Sequence, residues 1–160
     1  MKTLGSPSSS FAGDRGEADP DVRRLVAAAD GPDPLGYPRA VAALCGARLL
    51  LPIAPDPDGD LSALQVRGGE GSTGLPVFTG LDALQAWQPS ARPVPCTLDD
   101  VAATAVETGS VAIVVDLAGP ASLVIEGDLI TQLAAGRRLV ELGDGGFGWL
   151  AKAPAPDTVD

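Results

Sequence analysis

The sequence predicts a single α+β domain: a mixed sheet of about five short strands with helices packed on it, between disordered termini. Three observations lead there. Short apolar runs alternate along the chain with amphipathic stripes of helical spacing. The links between them are brief and rich in Gly and Pro. Apolar residues make up 45% of the 160 residues and aromatics only 4%, so the core is to be built from Leu, Val, Ile and Ala. The expected division is a disordered tail over 1–18, the domain over 19–140, and a flexible tail over 141–160.

Residues 1–18 are polar and Gly/Ser-rich, a composition that cannot bury a core. Asp19 and Pro20 then supply an N-cap and a first-turn proline for a helix over 21–29, ended by Gly31. Tyr37-Pro38 opens a second helix over 38–44, stopped by Gly46. Residues 48–54 (RLLLPIA) read as a strand whose Leu triplet implies cover on both faces. Pro52 argues for an edge position or a bulge in it. After a turn over 55–60, residues 61–67 alternate as the partner strand of a hairpin.

Gly68–Gly74 is a loop and 75–78 the next strand. Thr79 is placed to cap a helix, with Asp82 as the acid of its first turn. Leu81, Leu84 and Trp87 share one face of that helix, and Pro89 stops it. Residues 94–96 form a short strand constrained by Pro93 and Pro95. Thr97 and Asp100 repeat the cap pattern ahead of the stripe Leu98, Val101, Ala102, Ala105, Val106, which Gly109 terminates. Residues 111–117 (VAIVVDL) are the most apolar run and should be central. A turn at 118–121 leads to a strand over 122–126, and a last helix over 128–135 buries Leu129, Ile130 and Leu133. Inside the C-terminal tail, Phe147, Trp149 and Leu150 form an apolar island that docks on the domain or on a partner.

Composition excludes several chemistries. The formal charge is −10 with a pI near 4.2, which disfavours nucleic acid and anionic membrane surfaces as partners. There is no histidine, so Ser-His and Cys-His nucleophiles cannot be built within the chain. Both lysines, Lys2 and Lys152, fall in the expected tails, which leaves no Schiff-base lysine in the domain. The start lacks the apolar run of a signal peptide, and a cytoplasmic protein with reduced Cys45 and Cys96 is the expectation.

The motifs that invite a functional reading also have local explanations. Gly69-Glu70-Gly71-Ser72-Thr73-Gly74 is a literal G-x-G-x-x-G, but Leu75-Pro76 after it is extended, where a dinucleotide site needs a helix. Asp56-x-Asp58-x-Asp60 starts like a calcium loop but has Leu61 and Arg67 where that loop needs Gly and a bidentate acid. Asp116 and Glu126 close two successive strands and could form an acid-base pair. Asp116 before Ala-Gly-Pro also suits a turn, its side chain bonding backbone N–H groups. Arg137-Arg138 suits a helix C-terminus.

The chain resembles the SseB N-terminal domain family of actinobacterial type over roughly residues 45–140. The resemblance rests on Leu49-Leu50-Leu51-Pro52, Leu75-Pro76-Val77-Phe78-Thr79, the helix ending at Trp87, Pro93-Val94-Pro95, Asp116-Leu117-Ala118-Gly119-Pro120, and Gly127. It implies an α/β-type domain without an established biochemical activity, and it transfers no catalytic motif.

The expected function is a non-catalytic protein-interaction module with an unknown protein partner, no cofactor and no metal. The alternative is a small-molecule sensor or carboxylate enzyme using Asp116 and Glu126. Candidate ligand or partner residues are Asp116, Glu126 and Trp149.

Overall fold

The computed structural model describes residues 11–151. The elements run α1 (Pro20–Ala28), α2 (Gly36–Cys45), β1 (Leu49–Pro55), β2 (Leu61–Ala63), β3 (Val66–Arg67), β4 (Thr73–Val77), α3 (Leu81–Trp87) and β5 (Arg92–Cys96). They continue α4 (Leu98–Thr108), β6 (Ala112–Val115), β7 (Leu123–Glu126), α5 (Asp128–Ala134), β8 (Arg138–Glu141) and β9 (Phe147–Leu150). The class is α+β, as the sequence predicts. The strands are more numerous than expected, and among the described residues they lie in three sheets: β2-β1-β5, the mixed β3-β4-β6-β7, and the hairpin β8-β9.

The first two sheets meet at a single bridge, where Leu50 and Phe78 exchange backbone hydrogen bonds of 2.8 and 2.9 Å. β6 lies between parallel β4 and antiparallel β7, the central place its composition demands. Strand alternation then divides the side chains between two cores. Leu49, Leu51, Leu75, Val77, Ile113, Val115 and Ile125 pack with Val26, Val41, Leu44, Val101, Ala105 and Leu133 of the helices. Leu50 and Phe78 turn the other way and pack with Ala83, Leu84 and Ala91 around α3. There the Phe78 and Trp87 rings lie 5.6 Å apart. The Leu triplet of β1 is therefore covered on both faces.

Pro52 is not at an edge, since β1 is flanked by β2 and β5. Leu50 directs its N–H and C=O at Phe78, and the Pro52 carbonyl accepts from Leu64 N on that same side. The N–H that Pro52 lacks thus falls where β1 changes partner from Phe78 to the β2 side, and the Pro52–Leu64 pair at that end of the hairpin keeps one bond of two. By the same alternation Leu49, Leu51 and Ile53 face β5, opposite Cys96, Val94 and Arg92. Pro93 and Pro95 therefore stand with their nitrogens on the outer edge of β5, which they deprive of donors.

Two further differences have local causes. The strand expected over 61–67 breaks at Gln65, whose amide reaches Ser110 Oγ at 2.7 Å. The chain leaves β1 there and, as β3, pairs with β4 instead. The stretch expected as a C-terminal tail contains β9, paired with β8 through Leu139↔Trp149, with Leu139 buried in the main core. Residues 152–160 and 1–10 of the expected tails lie outside the described residues. Residues 14–18, also within the expected N-terminal tail, are tied to the domain. Asp14 pairs with Arg48 at 2.6 Å, and Gly16 O accepts from Leu81 N at 2.7 Å.

Candidate functional site

The polar centre of the domain lies at the C-terminal ends of the parallel pair β4 and β6. β4 runs through Phe78 into Thr79, and β6 runs into Asp116, whose N–H donates to Val77 O at 2.9 Å. Asp116 is only 4% exposed and has φ +53°, the left-handed region that side chains other than Gly seldom adopt. That backbone geometry starts the 116–119 turn, with Gly119 N donating to Asp116 O at 2.9 Å.

Both Asp116 carboxylate oxygens are occupied. Oδ1 accepts from Thr79 N at 2.9 Å and Oδ2 from Thr79 Oγ1 at 2.6 Å. Thr79 Oγ1 in turn accepts from Arg23 Nε at 3.1 Å. Arg23 forks onto Asp82 through two bonds of 2.7 and 2.5 Å, which hold the Asp82 carboxyl below and the guanidinium above their ordinary pKa values. Thr79 is therefore not the helix cap expected. Its hydroxyl is committed to Asp116, and Gly80 is the N-cap of α3, without a side-chain bond. Thr97 is likewise the N-cap of α4, but its hydroxyl donates to Asp100 Oδ2 at 3.1 Å and not to the backbone.

Beside this chain of bonds is a cleft of about 250 Å³ between α1, α3 and the turn after β6. Its walls include Ala27, Ala83, Ala86, Ala118, Pro120 and Ala121, and Arg23, Asp82 and Asp116 also line it. A second, more polar cleft of about 520 Å³ lies between the 11–19 segment and the start of β1. Arg48 organises it, pairing with Asp14 and donating to Thr79 O at 3.0 Å and to Glu17 O.

The structure does not bring the three candidate residues together. Glu126 is paired with Ala112, whereas Asp116 follows Val115, the partner of Leu123. The two carboxylates thus close opposite ends of the β6–β7 hairpin, on the order of 13 Å apart along the strands. Glu126 instead acts on Tyr37, whose phenol donates to Val124 O at 2.6 Å; burial first and that carboxylate second raise the phenol pKa. Trp149 is on β9 and lines neither cleft.

The other motifs are absorbed locally. Asp56 Oδ1 accepts from Asp58 N and Asp60 N at 2.9 and 3.0 Å, which closes the β1–β2 turn. The last glycine of the G-x-G-x-x-G run, Gly74, is a buried residue of β4. Cys45 and Cys96 are buried free thiols; burial raises both and pushes Cys96 up to about 12. Among the described residues no group of His, Cys, Asp and Glu could hold a metal ion, and no helix is long and apolar enough to cross a membrane.

Arg23 and Arg48, which organise the two clefts, are functional candidates that sequence reasoning missed. The available signal was compositional: an arginine in a chain with 11 basic and 21 acidic residues is a natural ion-pair centre.

Fold and site together define a small α+β domain built around a buried Thr–Asp pair. The chain matches the SseB protein N-terminal domain over residues 22–132, and it belongs to that family. The matched stretch contains Arg23, Thr79, Asp82, Asp116 and Glu126, and ends before the β8–β9 hairpin. No significant match exists among curated proteins or solved structures.

Proposed function

We propose that the domain is a non-catalytic protein-interaction module whose docking point is the cleft between α1, α3 and the 116–121 turn. The observation that carries this is the cleft itself. It is walled by small apolar side chains, and its one buried carboxylate already has both oxygens satisfied by Thr79. A carboxylate so engaged is a poor general base, and Glu126 is too distant to complete a pair. A volume of about 250 Å³ suits an apolar side chain serving as an interface anchor. The formal charge of −10 favours a partner segment whose anchor is flanked by basic residues. The same charge disfavours nucleic acid, and two free thiols suit a reducing, cytoplasmic setting.

Photocrosslinking tests this reading. A benzophenone amino acid at Ala121 should give one protein adduct in cells that disappears when Ala86→Trp fills the cleft. An adduct that persists in Ala86→Trp, or that forms equally from Glu107, would overturn it.

A second reading, small-molecule sensing, draws on the position of the cleft outside the carboxyl ends of two parallel strands. It rests on Asp116 without Glu126. Thermal-shift screening with amino acids, nucleotides and divalent cations checks it: saturable stabilisation abolished in Asp116→Asn supports sensing, and a flat response across the panel ends it.

A further inference from the structure

We propose that β9 pairs edge-to-edge with β9 of a second copy of this chain, joining two β8–β9 hairpins into one four-stranded antiparallel sheet. The argument starts from the turn. Leu142 N donates to Gly146 O at 2.7 Å and Gly145 N to Leu142 O at 3.0 Å, with Gly145 at φ +85°. This is a three-residue hairpin loop closed by a hydrogen-bonded 142:146 pair. Alternation then makes 140:148 and 138:150 the other bonded pairs. The N–H and C=O of Phe147 and Trp149 therefore point away from β8, at the free edge.

The edges at β5, β7 and β8 are blunted. Pro93 and Pro95 remove donors from β5. The Tyr37 phenol bonds Val124 O on β7. On the outer side of β8, helix α2 lies alongside, and Glu141 holds Arg39 of that helix at 3.2 Å. Among the described residues, β9 has none of these devices. Its sequence, Phe-Gly-Trp-Leu, contains no charge and no proline.

The edge is also self-complementary. A two-fold axis through Gly148 sets Phe147 opposite Trp149 of the second copy, and Trp149 opposite its Phe147. Both are then hydrogen-bonded pairs, exchanging four backbone bonds in all. Two cross-strand aromatic pairs form on one face, and no like charges meet in the strands. On the other face Leu142 and Leu150, 46% and 58% exposed, become a continuous apolar surface across both copies. The net charge of −10 on each copy opposes the pairing at long range, so added salt should tighten it. The hairpin lies outside the cleft of the proposed function and outside the family match, and the inference is independent of both.

Sedimentation equilibrium of the full chain over a wide concentration range, with and without salt, tests the pairing. Wild type should show a monomer–dimer equilibrium that shifts toward dimer with salt. Trp149→Pro removes the indole and an N–H that points outward, not at β8, so the β8–β9 ladder keeps its bonds, and the variant should be a monomer. Gly148→Cys places two thiols across the axis in a non-hydrogen-bonded pair, about 4.5 Å between Cα atoms. Mild oxidation should link it quantitatively as a dimer, because Cys45 and Cys96 are buried. A wild type that stays monomeric at every concentration overturns the inference. So does a dimer that survives Trp149→Pro while Gly148→Cys fails to crosslink.

Discussion

Replacing Asp116 separates two energies that the structure superimposes at one residue. The carboxylate accepts two buried bonds from Thr79, and the backbone sits at φ +53°. Each bond to a charged group is worth about 1.5–3 kcal/mol. The left-handed conformation costs a residue other than Gly about 1–2 kcal/mol. Asp116→Ala loses both acceptors and keeps the backbone cost, so it should destabilise by about 3–6 kcal/mol. Asp116→Gly loses the same acceptors but relieves the backbone, and should recover about 1 kcal/mol of that after the extra chain entropy of glycine. Asp116→Asn tolerates the left-handed region and keeps one acceptor for Thr79 N, so its loss should be about 1.5–3 kcal/mol. The assay is urea unfolding followed by tryptophan fluorescence, since Trp87 packs on Phe78 in the minor core. The order of stability should be Asp, Asn, Gly, Ala. Equal losses for Gly and Ala would refute the backbone argument, and an Asn variant as unstable as Ala would refute the hydrogen-bond argument.

Three further outcomes follow from the packing and charge pattern. Cys45 and Cys96 should resist iodoacetamide at neutral pH and become labelled together, at the rate of global opening, because burial keeps both as thiols; labelling of either in the native state at the rate of a free thiol would contradict this. Arg23 lowers the Asp82 pKa, so the stability from this pair is present above the ordinary Asp value of about 3.9 and lost as pH falls through the lower folded value. Asp82 is mostly exposed, so Asp82→Asn should flatten the acid limb of the stability–pH curve by less than about 1 kcal/mol. Pro95→Val restores a donor to the outer edge of β5. It should increase light scattering on mild heating while leaving the urea midpoint nearly unchanged, and a variant as clear as wild type would show that this edge needs no proline.

The sequence was most legible where cause and effect are neighbours. Asp19 caps α1 by accepting from Asp21 N at 2.8 Å, two residues away, and Gly109 ends α4 at φ +71°, as its position suggested. Thr79 misled for the opposite reason: its hydroxyl belongs to Asp116, 37 residues further on. The parallel pairing of β4 and β6, which creates the end where the cleft lies, leaves no mark in local periodicity. Pro52 reads as an edge residue until the Leu50–Phe78 bridge shows that β1 changes partner there. Asp116 and Glu126 are close in sequence and end adjacent strands, yet antiparallel pairing sends them to opposite ends. Only the strand register reveals that separation.

The two principal sheets share one reciprocal pair of backbone bonds, Leu50 N–H to Phe78 O and Phe78 N–H to Leu50 O. That junction is a natural boundary between cooperative units. Amide hydrogen exchange at these two positions would report a single event, the parting of the sheets, and their protection would measure how strongly β2-β1-β5 is coupled to β3-β4-β6-β7. Exchange at Leu50 and Phe78 in step with the amides of β6 would make the domain one folding unit. Exchange ahead of β6 would make it two, hinged beneath α3.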